Sequence, residues 1–180
     1  MSKARNLAQF GNRTLLSARL TAPGVELVAL ELDEDTLYRI SAIIHPNNID
    51  GAVAWQSRSV SGGAWDAGGS DYSVQYHFGV NAGSSGQVVS TTSLPTIASL
   101  DAGTTNIPAT MHGMFYTGSS VKWPALTVHN GNQIADASGV ASQTIQSYRR
   151  ANVRARDFRL AASQALGFGT GSRLFLEKLG

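Results

Sequence analysis

The amino-acid sequence predicts an all-β fold of the sandwich or barrel kind, and three observations carry that expectation. Charged residues make up only 14% of the 180 residues, while apolar residues hold an ordinary 42%. A disordered chain needs few apolar and many charged residues, and a long-helix protein draws on Glu, Lys, Arg and Leu; this chain is neither. Its polar content is Gly, Ser, Thr, Asn and Gln, which suit turns and strands with a hydrated face. Finally, short apolar segments recur at roughly 8 to 12 residue spacing between Gly-rich turns, the pattern of a sandwich or barrel. The length argues for one compact domain.

The elements follow in order. Ser2 can cap a short helix over residues 3–10, because Ala4, Leu7 and Ala8 fall at i, i+3 and i+4 before Gly11. A helix this short is marginal alone and must dock on its own domain or on another molecule. Residues 12–24 read as an extended arm ending in a Pro23-Gly24 turn, so residues 1–24 form an attachment segment and residues 25–180 the β domain. Strands are expected at 25–32, 38–44, 53–58 and 72–78, separated by Asp33-Glu34-Asp35, Pro46-Asn47-Asn48, Asp50-Gly51 and two Gly-rich loops. The clearest is 72–78, where Tyr72, Val74, Tyr76 and Phe78 alternate with Ser73, Gln75 and His77. Further strands are expected at 88–92, 111–116, 125–129, 133–137, 140–148 and 173–179. Over 153–160 the apolar parity switches between Ala155 and Phe158, which predicts a bulge near Arg156-Asp157. Roughly eight such strands would form a jelly roll, and no fixed-period repeat points to a propeller or solenoid.

The net charge of +2, from 14 basic and 12 acidic residues, is too small to imply a nucleic-acid partner. The charge is unevenly placed, with Glu26, Glu31, Asp33, Glu34 and Asp35 early and Arg149, Arg150, Arg154, Arg156, Arg159 and Arg173 late. Such an arrangement can steer contacts between subunits, or it can form a solvated face with intramolecular pairs. The absence of cysteine excludes disulfides and thiolate metal sites. Gln9, Gly11, Asn12 and Arg13 interrupt any apolar signal-peptide core, and no run of 18 apolar residues predicts a membrane partner. The expected origin is the cytoplasm.

Chemistry is sparse. His45, His77, His112 and His129 lie on separate segments with no HxH or HExxH spacing, and no Gly-x-Ser-x-Gly elbow stands between a strand and a helix. Asp66 and Asp71 share one Gly-rich loop, where turn hydrogen bonds explain them as well as a glycan-cleaving carboxylate pair does. The acidic run 33–35 lacks the spacing of a calcium loop. Gly167-Phe168-Gly169-Thr170-Gly171 is only superficially like a phosphate loop, without the Lys-Ser/Thr that follows one. The expectation is therefore a protein without catalytic residues, metal or cofactor. Among the aromatic residues Trp55 lies within a strand and reads as core, whereas Trp65, Tyr72 and Trp123 are candidates for stacking against sugar rings.

The order of these motifs resembles a jelly-roll module of virion proteins from tailed bacteriophages. The likeness is carried by residues 38–44, by Pro46-Asn47-Asn48-Ile49-Asp50-Gly51 running into 53–58, by Trp65-Asp66-Ala67-Gly68-Gly69-Ser70-Asp71-Tyr72, and by the ending Gly171-Ser172-Arg173-Leu174-Phe175-Leu176. The opening Ser2-Lys3-Ala4-Arg5-Asn6-Leu7-Ala8 is similar to the start of many phage fibre proteins. The loop at 57–63 lacks the family's acidic residue, and Glu177-Lys178-Leu179-Gly180 replaces its closing Tyr-Gly. The resemblance implies a non-enzymatic structural subunit located in the virion: a short tail or head fibre, a collar piece or another appendage. It also implies a homo-oligomer, a trimer, that contacts other capsid, collar or tail proteins through its N-terminus, with Lys3, Arg5, Leu7 and Phe10 as attachment residues. The alternatives are a module binding host-surface carbohydrate through Trp65, Tyr72 and Trp123, or a capsid decoration protein.

Overall fold

The computed structural model describes residues 6–10, 13–47, 51–60, 62–68, 71–80, 84–90, 96–100, 108–118, 126–133, 140–149 and 153–179. Among these the chain is all-β, with strands β1 (Asn6–Phe10), β2 (Arg13–Arg19), β3 (Glu26–Ala29), β4 (Leu37–Ile44), β5 (Gly51–Arg58), β6 (Tyr72–Val80) and β7 (Ser84–Ser90) in its first half. The second half adds β8 (Thr96–Leu100), β9 (Ala109–Tyr116), β10 (Leu126–Gln133), β11 (Val140–Arg149), β12 (Asp157–Ala162) and β13 (Arg173–Lys178). They form two antiparallel sheets, a large one in the order β1-β2-β13-β4-β9-β10-β11-β6-β7 and a small one in the order β3-β12-β5-β8.

The pairing is nested. β6 pairs with β7 in the large sheet, β5 with β8 in the small one, β4 with β9 in the large one, β3 with β12 in the small one and β2 with β13 in the large one. The meander β9-β10-β11 fills the space between β4 and β6.

Period-two patterning builds the core. On β4, Tyr38, Ile40, Ala42 and Ile44 turn inward; on β9, Ala109, Met111 and Phe115 do so, and on β13, Leu174 and Leu176. The small sheet answers with Leu27 and Ala29 of β3, Val53 and Trp55 of β5, and Phe158 and Leu160 of β12. Trp55 is the centre of this layer, meeting Tyr72 and Phe115 edge-on at 4.7 and 5.7 Å and stacking on Phe158 at 6.0 Å. Its indole N–H donates to Ser147 Oγ at 2.8 Å, so the one polar atom of the ring is satisfied in the interior. Burying each such aromatic contributes about 1.5–3 kcal/mol.

The N-terminal region departs from expectation. Where the predicted helix over residues 3–10 is described, at Asn6–Phe10, the chain is strand β1, paired to β2 from Asn6↔Ser17 to Phe10↔Arg13; residues 1–5 lie outside the described residues. The predicted arm is extended, but it is built into the sheet: β2 lies between β1 and β13, and Leu16 and Leu20 join the core. Strand β12 begins at Asp157, where the parity switch was expected to place a bulge, and Ala155 just before it is buried.

The Gly-rich approach to β13 is a brace. Phe168 is wholly buried and exchanges two 2.9 Å backbone bonds with Gly24, while the Gly169 and Gly171 amides donate to His45 O and Leu20 O. A Cβ on Gly169 would stand 2.7 Å from the Pro46 carbonyl oxygen, so only glycine lets the two backbones approach. With the amides of 167, 168, 169, 171 and 172 all donating to protein carbonyls, this loop is no anion cradle.

Candidate functional site

The sequence-predicted residues fall in three places. Lys3, Arg5 and Trp123 lie outside the described residues, and Leu7 and Phe10 occupy β1 at the edge of the large sheet. Trp65 and Tyr72 come together at the two ends of one loop with different roles. Tyr72 is fully buried, which corrects its reading as a stacking surface: its ring packs on Trp55. Its hydroxyl accepts from Ser57 N at 3.0 Å and donates to Asp66 O at 2.8 Å. Together with the 2.9 Å bond from Asp66 N to Ser57 O, this lashes the loop to the end of β5 and sets Trp65 over the outer face of the small sheet.

There Trp65 meets two cations. The Arg58 and Arg159 guanidinium carbons lie 4.3 and 4.6 Å from its ring centroid, within cation–π range. Each arginine is held in turn. Arg58 Nε donates to Asp157 Oδ2 at 2.6 Å and its NH1 donates to Gly63 O at 3.0 Å. Arg159 Nε donates to Gln56 Oε1 at 2.6 Å and its NH1 to Glu26 Oε2 at 2.7 Å. Asp157 is wholly buried, and its second oxygen accepts the Glu31 amide at 2.8 Å. That bond secures Glu31 at φ 57°, a left-handed conformation that costs a non-glycine residue about 1–2 kcal/mol. The result is a charge-balanced ladder across β3, β12 and β5, with Trp65 packed against both guanidinium groups. Sequence reasoning missed the ladder because Arg58 and Asp157 stand 99 positions apart, and only the β5–β12 register, Arg58↔Asp157, joins them.

Beside the ladder, a groove of about 650 Å³ runs between β2 and the edge strand β3, lined by Leu16, Leu20, Val25, Leu27, Trp65 and Leu174 among others. The acidic turn 33–35 is engaged by partners distant in sequence. Asp33 pairs with Lys178, Glu34 with Arg154, and Tyr116 OH donates to Asp35. With the Arg159–Glu26 pair, these contacts join the early acidic and late basic residues within one chain. Tyr38 OH accepts from Asp33 N at 3.0 Å, and burial raises its phenol above the ordinary value. In comparisons with known proteins, the chain matches no family model and no curated protein.

Proposed function

We propose that this chain is a jelly-roll structural subunit of a bacteriophage virion, a short fibre, collar or appendage piece that assembles as a homo-oligomer and docks through its N-terminal region. The observation that carries this reading is the nested pairing 2·13, 3·12, 4·9, 5·8 and 6·7, whose successive pairs alternate between the two sheets. Such nested winding supports a jelly-roll reading, an architecture frequent in viral capsid and lectin domains, alongside the motif resemblance of the sequence. The nine strands of the large sheet are the six of the nested pairs 2·13, 4·9 and 6·7, the further strands β10 and β11 of the meander, and β1.

Oligomerisation is supported by the edges. Among the described residues the sheets end in β1 and β7 and in β3 and β8, and unpaired edges are a liability that assembly covers. Attachment through residues 1–10 is compatible with β1 lying outermost beside β2. The test is the absolute mass of the purified chain by light scattering across micromolar concentrations. The reading expects three chain masses; a single chain mass at every concentration overturns self-assembly.

A further inference from the structure

Strand β3 ends the small sheet, with β12 on one side only among the described residues. Its ladder bonds follow one parity. Ala162 N donates to Val25 O at 2.9 Å, and the register Leu160↔Leu27 and Phe158↔Ala29 repeats that hydrogen-bonded pairing at every second residue. The main-chain groups of Leu27 and Ala29 therefore face β12, and those of Glu26 and Val28 face away from it. The side chains alternate in step: Leu27 and Ala29 are buried between the sheets, while Glu26 and Val28 are half-buried. Edges are usually blunted by Lys or Pro; β3 has neither, and its one charge, Glu26, is held by Arg159.

Beside this open edge runs the groove of about 650 Å³, whose β2 wall carries Leu16 and Leu20. A strand laid against Glu26 and Val28 would turn every second side chain between the sheets, next to Leu27 and toward Leu16 and Leu20. Three charged residues line the groove: Arg19, Glu26 and Arg58. Glu26 is paired with Arg159 and Arg58 with Asp157, so Arg19 is the one without a carboxylate partner among the described residues. Arg173, exposed as Arg19 is, stands directly opposite it on β13 and adds a second positive charge. Residues 20–25 join the end of β2 to the start of β3, which sets Arg19 at the Glu26 end of the groove.

We infer that the groove between β2 and β3 accepts an extended segment of a partner protein as an added strand, antiparallel to β3, apolar at alternate positions and acidic at its C-terminal end. Edge addition of this kind takes its affinity from main-chain hydrogen bonds and its specificity from pockets for alternate side chains. The antiparallel direction brings the C-terminal end of the segment to the start of β3, beside Arg19. There a carboxylate meets a guanidinium that no acidic group neutralises, and charge-assisted hydrogen bonds of this kind are the strong ones. The inference does not rest on the virion reading.

The test measures fluorescence anisotropy of a fluorescein-labelled peptide, Thr-Val-Thr-Val-Thr-Val-Asp-Asp, against the full chain. This peptide should bind saturably, and the same peptide ending in Lys-Lys should bind at least about tenfold more weakly. Arg19→Glu, at an exposed position, should reverse that preference. Val28→Pro removes a main-chain donor that faces away from β12, where an edge strand tolerates proline, so it should unfold in urea as the wild type does and lose the peptide. Should that variant not fold, Arg19→Glu decides alone. The inference is overturned by no saturable binding up to about 1 mM, by equal binding of the two peptides to the wild type, by an unchanged preference in Arg19→Glu, or by wild-type affinity in folded Val28→Pro. A doubled mass in light scattering that Val28→Pro abolishes would overturn it too, giving the edge to a second copy of the chain.

Discussion

Replacing Arg58 with alanine should be among the most damaging single changes outside the aromatic core. Asp157 is wholly buried, and Arg58, only 13% exposed, faces it at 2.6 Å. Removing the guanidinium leaves a buried carboxylate with the Glu31 amide but no counter-charge, and breaking a buried pair from one side costs about 3–5 kcal/mol. For a domain of this size each kcal/mol moves the melting temperature by about 2–4 °C, so Arg58→Ala should lower Tm by roughly 6–20 °C. The same substitution removes the bond to Gly63 O and one of the cations over Trp65, so the loop loosens as well. Arg154→Ala supplies the comparison, because its partner Glu34 is 59% exposed and such surface pairs contribute about 0–1 kcal/mol. Urea unfolding followed by tryptophan fluorescence measures both variants. A stability for Arg58→Ala within about 1 kcal/mol of the wild type, or an equal loss for Arg154→Ala, would refute the role of the buried pair.

Other outcomes follow from single features. The Ser57 hydroxyl is buried without a hydrogen-bond partner, so Ser57→Ala should leave stability unchanged or raise it by about 1 kcal/mol; a clear loss in urea unfolding would point to a bridging water instead. Tyr38 has its phenol pKa raised chiefly by burial, with the Asp33 charge adding to it. The unfolded phenol therefore loses its proton first, near the ordinary 10.0, and the contribution of Tyr38 is complete below that pH and declines as pH rises through the folded value. Thermal melts from pH 9 to 11.5 should fall less steeply for Tyr38→Phe than for the wild type, and parallel slopes would count against this. Deleting residues 1–11 removes β1 but leaves β2 its β13 partner, so the domain should still unfold cooperatively while losing incorporation into particles; normal incorporation of the truncated chain would defeat the attachment role.

The β class was legible in the sequence because it rests on local signals. The alternation at 72–78 matches β6, and Trp55, placed in the core because it lies within a strand, is wholly buried there. The helix expected over residues 3–10 rested on an equally local signal, Ala4, Leu7 and Ala8 at helical spacing, and a stretch this short suits a strand as well, as at Asn6–Phe10. Tyr72 stands on the apolar side of the 72–78 alternation, which agrees with its burial, while the contact with Trp55, 17 positions earlier, is what no local pattern shows. What no local pattern encodes is register. The Arg58–Asp157 pair arises from which strands lie side by side, and that is set by the nested winding of the chain.

The central claim is that this chain is a building block of a phage particle, and the most direct measurement is its presence there. Particles purified through a density gradient from cells that produce the chain should contain it at a fixed copy number, and gold-labelled antibody should mark one position on each particle. A chain recovered wholly in the soluble fraction, with unlabelled particles, would contradict the account.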